Sequence, residues 1–434
     1  MRLGLVFIKR YKILLILGFL IGFSSFIFLP YLKPLLPKMK KTETIGIVGR
    51  FKASEIPLEI QSLISYGLTK STPEGKISEG IAYEWKIEDD GKLYIFFLKD
   101  DLFWHDGTKV KASDINYNFK DVSLETSGSQ VIKFHLKEPF SPFLEVVSQP
   151  IFKKGLIGLG PYKVKRIKYS GPYVEMISLT TKDISKPNLK FRFYPTEEAA
   201  KIGFKLGEIQ KIKDLSSANE FLNWKNTKIS PVLHKNRFVG IFLNTQNPYL
   251  AKKNFRQALA YAIPKDEYKE KRALGPISPL SWAYNENVKS YDFNLENAKS
   301  LLNKALEGKK EEITFRFLTT PFLLSEAEKI KQFWEKIGIK TEIESFDPEK
   351  EFDILLAIQE IPNDPDQYSL WHSTQMGNIT HLKNPRIDKL LEDGRKTTNQ
   401  EERKKIYFDF QRFLAEEVPV IFLYHPISYD ISRK

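Results

Sequence analysis

The apolar positions of this chain recur with two different periods, and the switches between them mark where strands give way to helices. The stretch IAYEWKIEDDGKLYIFFLKDDLFW alternates through Trp85 and Ile87, breaks at Asp89-Asp90-Gly91, and resumes as a β-branched and aromatic run from Leu93 to Leu98. Alternation on both sides of an Asp-Gly turn predicts a β-hairpin. GLGPYKVKRIKYSGPYVEMISL predicts a second strand pair, punctuated by Gly and Pro. NRFVGIFLNT and FDILLAI (352–358) are nearly continuous apolar runs, the pattern of strands buried on both faces.

Helical spacing takes over elsewhere. FRQALAYAI sets Phe255, Leu259 and Ile263 four apart and stops at Pro264. SEAEKIKQFWEKIGIKTEIESF predicts a helix capped by Ser325 with Glu328, with Ile330, Phe333, Trp334 and Ile337 as its apolar face, closed by Gly338. Ile339, Thr341 and Ile343 then alternate as a strand. Asn399 with Glu402 predicts another capped helix, with Ile406, Phe410, Phe413 and Leu414 on one side, Pro419 at its end and the strand VIFLY beyond. Helices alternating with buried strands predict α/β lobes whose sheets are covered on both faces.

One polar stretch, DDLFWHDGTKVKASDINYNF, sets His105 beside Asp106, with Ser113 and Asp114 close behind. Asp106-Gly107 is a turn signal, and Asp114 is expected in the first turn of a helix carrying Ile115 and Phe119. Neighbouring residues of a strand point to opposite faces, so His105 and Asp106 are poorly arranged for a Ser-His-Asp relay. A hydrolase built on His105, Asp106 or Ser113 is therefore the weakest reading of this stretch, and a scaffold turn the strongest.

Composition narrows the class. The 434 residues allow two or three domains, and 42% hydrophobic with 28% charged residues is globular. A net charge of +13 is spread over a Lys-rich surface with acids interspersed and forms no basic arm, so no nucleic-acid partner is expected. The chain has no cysteine, which excludes disulfides, thiol nucleophiles and Fe–S clusters. It has neither GxxxxGK[ST] nor GxGxxG nor GxSxG, and its six histidines, His372 and His381 among them, match no metal spacing. No catalytic residue, metal site or cofactor is expected.

The N-terminus adds a membrane. Residues 13–32, ILLILGFLIGFSSFIFLPYL, carry no charge and follow Arg2, Lys9, Arg10 and Lys12. About 20 apolar residues span the ~30 Å hydrocarbon layer. The first alanine of the chain is Ala53, so the small-residue cleavage site of a signal peptide is missing and an uncleaved single-pass anchor is expected. Lys33, Lys38, Lys40 and Lys41 balance the positive residues on the other side, so charge leaves the orientation open. Pro30, Pro34 and Pro37 predict a stiff linker.

Read in order, several stretches resemble one family. ISEGIAYEWKIEDDGKLYIFFLKDDLFWHDGTKVKASDINYNF, GLGPYKV, NRFVGIFLNTQNP with FRQALAYAIPKDEY, PLSWAYNEN, LENAKSLLNKA, NDPDQYSLWHST and the C-terminal NPRIDKLLEDGRKTTNQEERKKIYFDFQRFLAEEVPVIFLYHP are similar to the family 5 extracytoplasmic solute-binding proteins, the oligopeptide- and dipeptide-binding proteins of ABC importers. The likeness runs from about Gly67 to the C-terminus. It implies an α/β periplasmic-binding-protein type II clam, two lobes on a hinge, here preceded by one transmembrane helix. The implied division is a short cytoplasmic N-terminus (1–12), the anchor (13–32), a linker (33–44), lobe I (45–235, completed by 418–434) and lobe II (236–417). The His-Asp-Gly turn then belongs to the lobe I scaffold.

The family binds extended peptides between its lobes, largely through their backbone. The resemblance implies that Asn244 and the segment Gln359, Glu360 and Ile361 line the cleft, with Trp282 and Tyr284 as walls and Asp364 and Asp366 of the NDPD turn nearby. Peptide binders of the family hold the ligand's free amine with an aspartate where this chain has Ile361. Either Glu360 takes that role, or the ligand is not held by an amine, as for the nickel, haem and oligosaccharide binders of the family. The segment 121–143 is compact, which implies a reduced accessory domain. The implied function is a membrane-anchored extracytoplasmic monomer that captures a peptide or peptide-like solute and delivers it to an ABC permease. The alternative is a sensor signalling to a membrane partner, with only twelve residues before the helix for any cytoplasmic output.

Overall fold

A computed structural model of the chain describes residues 11–13, 16–19, 22–24, 40–268, 270–309 and 312–434. Most of the predicted membrane segment and most of the linker lie outside the described residues. Among the described residues, no helix is long and apolar enough to cross a membrane.

Two large sheets organise the rest. A seven-stranded sheet has the order Thr227–Leu233, Ile427–Arg433, Lys211–Leu215, Thr42–Val48, Asn188–Tyr194, Tyr173–Thr180, Lys163–Ser170. Thr42–Val48 runs parallel to both its neighbours, and the outer pairs are antiparallel. One face packs Ile45, Ile177 and Phe191 on Ile60 and Ile64 of the helix Leu58–Ile64. The other packs Ile212 and Ile431 on Phe204 and Phe221. The expected linker ended at 44, but Thr42 is already the first residue of a central strand.

Beside it stands an antiparallel four-stranded sheet, Ala82–Glu88, Leu93–Leu98, Val131–Leu136, Val122–Ser127. The predicted hairpin forms its first half, and the alternation in Leu93–Leu98 puts Tyr94, Phe96 and Leu98 into the core. The expected helix after Asp114 does not form. A single 3-10 turn, Ala112–Asp114, gives way to extended backbone at Ile115. The Asp114 carboxylate instead closes the turn, accepting from the Lys111 amide at 3.0 Å and from the Trp104 indole at 3.2 Å. Ile115 and Phe119 still reach the core, but from non-helical backbone.

The five-stranded sheet has the order Ile339–Ser345, Ile313–Thr319, Ile354–Glu360, Arg237–Leu243, Val420–Tyr424. Arg237–Leu243 is internal and apolar on both sides. Val239, Ile241 and Leu243 face the helices Lys253–Tyr261, Leu295–Ala305 and Leu324–Glu335, while Phe238 and Phe242 face Pro385–Lys396 and Gln400–Glu417. Ser325 does not cap its helix, which starts one residue earlier at Leu324 without a side-chain cap. Asn399 does cap, accepting from the amides of Glu401 and Glu402.

The chain passes between the large sheets twice, at 234–236 and at 425–426. VIFLY, expected with lobe I, instead pairs with Arg237–Leu243. Its residues are all buried, Val420 and Phe422 on one face and Ile421 and Leu423 on the other, which only a sheet covered on both sides accommodates. The next strand, ISYDISR, has the mixed pattern suited to the seven-stranded sheet, where it lies between Lys211–Leu215 and Thr227–Leu233.

Candidate ligand-binding site

A cavity of about 480 Å³ lies between the lobes. The first lobe contributes Gly75, Lys76, Tyr94, Ser141 and Glu145; the second contributes Trp282, Asp364, Gln400 and Arg403. The lobes touch around it. The Trp282 amide lies 3.4 Å from the Glu74 carbonyl, and the Ser141 amide donates to the Arg395 carbonyl at 2.8 Å. Gly75 has φ +73°, and a Cβ there would sit 2.7 Å from the Asn363 carbonyl oxygen and 3.0 Å from the Trp282 indole nitrogen. Only glycine permits both that backbone conformation and that approach.

Charges from the second lobe are satisfied internally. Arg403, almost fully buried, donates to both carboxylate oxygens of Asp364, at 2.8 and 2.6 Å, and to the Gly394 carbonyl at 2.8 Å. The Asp364 carboxylate beside it raises the guanidinium pKa against the opposing effect of burial. Asp364 also accepts from the Asp366 amide at 2.8 Å, and Asp366 accepts from Arg395 at 2.9 and 3.1 Å. Both aspartates thus shape and pin the NDPD turn, with Asp364 at the cavity wall. Glu145 differs. Its Oε2 is enclosed without a hydrogen-bond partner. Burial raises its carboxyl pKa and the Asp364 charge adds to the rise, while the side chains of Ser71 and Asn363 beside it act the other way.

The structure places the remaining expected residues at several locations. Trp282 is half-buried at the cavity, with the Arg403 guanidinium 5.7 Å from its ring centre. Tyr284 packs on the core behind it, where burial raises its hydroxyl pKa. Ile361 is buried in the same core, its amide donating to the Asn236 carbonyl at 2.8 Å. Successive residues of a strand alternate faces, so Gln359 shares the side of Ile361 and Glu360 takes the other. Glu360 is largely exposed and lies 3.3 Å from Arg237, next to a hinge cluster in which Arg237 and His234 both approach Asp214. That cluster borders a second cavity of about 300 Å³ whose lining does not include Trp282 or Asp364.

Asn244 does not join the others. It lies at the far end of Arg237–Leu243, roughly 23 Å along the strand from Arg237 at ~3.3 Å per residue. There its side chain donates to the Phe352 carbonyl at 3.0 Å and lines a separate cavity with Asp353 and His381. Ile354–Glu360 pairs along its whole length with Arg237–Leu243, but on its other side only Ile354 to Leu356 pair with Ile313–Thr319, so among the described residues Ala357 to Glu360 carry no strand partner on that edge. Arg403 and Glu145 escaped the sequence reading. Arg403 sits in a charge-rich helix start and gives no local sign of burial. Glu145 did leave a signal, a lone acid inside the apolar run PFLEVV.

The His-Asp turn is scaffold. His105 Nε2 lies 2.9 Å from the Gly160 carbonyl. Asp106 accepts from the Thr108 amide and hydroxyl and pairs with Lys153 at 2.8 Å, which holds its carboxyl well below the usual range. Among the described residues, no group of three or more His, Cys, Asp or Glu is placed to hold a metal ion.

Two α/β lobes joined by two crossings, with a cavity between them, have the architecture of two-lobed solute-binding proteins. The chain belongs to the bacterial extracellular solute-binding proteins, family 5 (Middle), whose family description matches residues 76–380. It is 24% identical to the oligopeptide-binding protein AppA of Bacillus subtilis over 459 aligned positions, covering 87% of this chain and 84% of that protein. The crystal structure of NikZ from Campylobacter jejuni in complex with Ni(L-His) is similar with a TM-score of 0.77 and 25% identity, covering 91% of this chain and 94% of that one. The structure of AppA from Bacillus subtilis in complex with a nonapeptide has a TM-score of 0.72 at 21% identity, covering 92% and 95%.

Proposed function

We propose that this protein captures a peptide or peptide-like solute in the cavity between its lobes and hands it to an ABC importer. The observation that carries the reading is the cavity itself, walled by Tyr94 and Glu145 from one lobe and Trp282 and Arg403 from the other, in a chain of this family. Contributions from both lobes make closure and ligand binding one event, so a ligand stabilises the closed form by as much as it prefers it. The peptide assignment is supported by the relative named as an oligopeptide-binding protein. Of the expected residues, Trp282 and Asp364 are the ones we assign to the cavity wall, and we assign Gln359 and Ile361 to its margin.

We further propose that residues 13–32 anchor the chain in the cell membrane, with both lobes outside and the protein working as a monomer next to the permease. The uncharged run and the missing cleavage site support this.

Native mass spectrometry of the full chain, extracted in mild detergent and then denatured, tests the ligand assignment. A ladder of short peptide masses is expected. A single non-peptide mass, such as a nickel chelate, would replace the peptide assignment. An empty protein whose melting temperature is unmoved by peptides, sugars or metal chelates would overturn solute capture. Failure of the loaded protein to associate with any permease in a membrane pull-down would favour sensing over import.

A further inference from the structure

Three parallel strands at the centre of the seven-stranded sheet, Thr42–Val48, Asn188–Tyr194 and Lys211–Leu215, all begin towards one end of the first lobe. Just beyond the far ends of the last two lie Glu197 and Ser216, which border the cavity at the hinge. The starting end therefore points away from the hinge. The fold gathers there cations that are scattered along the sequence. An open groove of about 990 Å³ is lined by Lys40, Lys41, Lys186, Lys211, Arg433 and Lys434, with Glu43 as its one acid. Glu43 is paired with Lys211, and the neighbouring Asp183 with Lys186 at 3.4 Å. Among the described residues the other four cations have no carboxylate partner.

The same groove carries an apolar side chain held out in solvent. Ile184 is 94% exposed, on a turn that also bears the exposed Lys182 and Lys186. That turn is braced. Lys40 Nζ donates to the Thr181 carbonyl at 2.7 Å and the Asn188 amide to the Lys41 carbonyl at 2.9 Å. Ser185 donates through its amide and hydroxyl to the Asp183 carboxylate at 3.0 and 2.6 Å. A fixed apolar tip ringed by cations matches a layer of acidic headgroups over hydrocarbon. Chain length decides which such layer is in reach. Residues 33–39 connect Lys40 to the uncharged run 13–32, and seven residues extend at most about 25 Å. We propose that this end of the first lobe rests on the bilayer, its groove cations on the headgroups of anionic phospholipid and Ile184 inserted among them. The inference rests on the proposed anchoring through residues 13–32 and adds a second contact, which sets how the anchored lobe stands. The hinge and the second lobe are then directed away from the membrane. Because the attraction fades within a Debye length, added salt releases the contact.

The chain has no cysteine, so Ile184→Cys can carry a single polarity-sensitive fluorophore. The full chain is reconstituted into vesicles of phosphatidylcholine alone, or with about 30% phosphatidylglycerol to supply the negative surface potential. The label at 184 should shift to shorter wavelength only in the phosphatidylglycerol vesicles. The shift should vanish in about 1 M salt, where the screening length is about 3 Å, and in a variant that also carries Lys41→Glu and Lys186→Glu. A label at Met376→Cys, fully exposed on the second lobe, should not respond. No shift at 184, an equal shift in both vesicles, an undiminished shift in the charge-reversed variant, or an equal response at 376 overturns the inference while leaving the anchor intact. Alkaline carbonate extraction judges the anchor separately. If it releases the chain, the anchoring fails, and flotation near neutral pH then decides the surface contact. Wild type should still bind the phosphatidylglycerol vesicles at least tenfold more tightly than the phosphatidylcholine ones, and equal binding overturns the inference.

Discussion

Arg403 and Asp364 form a two-pronged ion pair, with both guanidinium amines on the two carboxylate oxygens at 2.8 and 2.6 Å. The pair joins the long helix Gln400–Glu417 to the turn that follows Ile354–Glu360, and so fixes the wall of the interlobe cavity. Removing one partner strands the other. Asp364→Ala should lower stability by roughly 3–5 kcal/mol, the usual cost of leaving a buried charge unpaired, seen as a shift in the urea midpoint. A change below about 1 kcal/mol would show that water reaches Arg403 and that the pair is not closed.

Gly75 tests how far closure depends on backbone contact. Gly75→Ala adds a Cβ 2.7 Å from the Asn363 carbonyl at φ +73°. The local strain should be about 1–2 kcal/mol, and the larger effect should be on the lobes. Solution scattering of the variant should give a larger radius of gyration than wild type. An unchanged radius would mean that the loop 72–76 yields instead.

Both crossings between the lobes carry a histidine whose pKa is lowered chiefly by burial. His234 precedes Arg237–Leu243, and His425 follows Val420–Tyr424. His425 is fully enclosed and its Nδ1 donates to the Arg237 carbonyl at 2.7 Å, which requires the proton on that nitrogen. With folded values below the ~6.5 of the unfolded chain, the unfolded state binds protons first as pH falls. The stability these two groups contribute is therefore complete above about pH 6.5 and is lost as pH drops through their folded pKa. Chemical denaturation across pH 5 to 8 should show this decline, and His425→Gln should flatten it. A slope unchanged in the variant would assign the decline to other groups.

Glu360 is where sequence reasoning sought an amine partner, and it is now expected to matter little. It is largely exposed and paired with Arg237, an arrangement worth at most about 1 kcal/mol. Glu360→Gln should leave the affinity for a pool of tri- to nonapeptides with free N-termini within twofold of wild type by calorimetric titration. A loss of tenfold or more would return the role to this residue.

Much of the secondary structure was legible because the pattern that builds each element is local. The Asp-Gly turn, the doubly apolar strand Arg237–Leu243 and the Asn399 cap each depend on neighbours a few residues away. The misreadings share one cause. Asp114 looks like a helix-start acid, yet its carboxylate is taken by the Trp104 indole. Ser325 looks like a cap, yet the chain enters its helix one residue earlier.

Site residues were harder, because lining a cavity is a property of two surfaces brought together. Trp282 meets Gly75 across more than two hundred residues of chain, and Asn244 falls at the wrong end of its strand, which no local pattern reports. The sequence by itself determined the α/β alternation, the ordered family likeness and an uncharged N-terminal run long enough for a membrane, since each is written in contiguous residues. Tertiary structure alone decided that VIFLY joins the second lobe's sheet, that Asp364 is already occupied by Arg403 and that Glu145 lies in the wall of the interlobe cavity. Those outcomes depend on which groups meet after the lobes fold, and burial and pairing are settled only there.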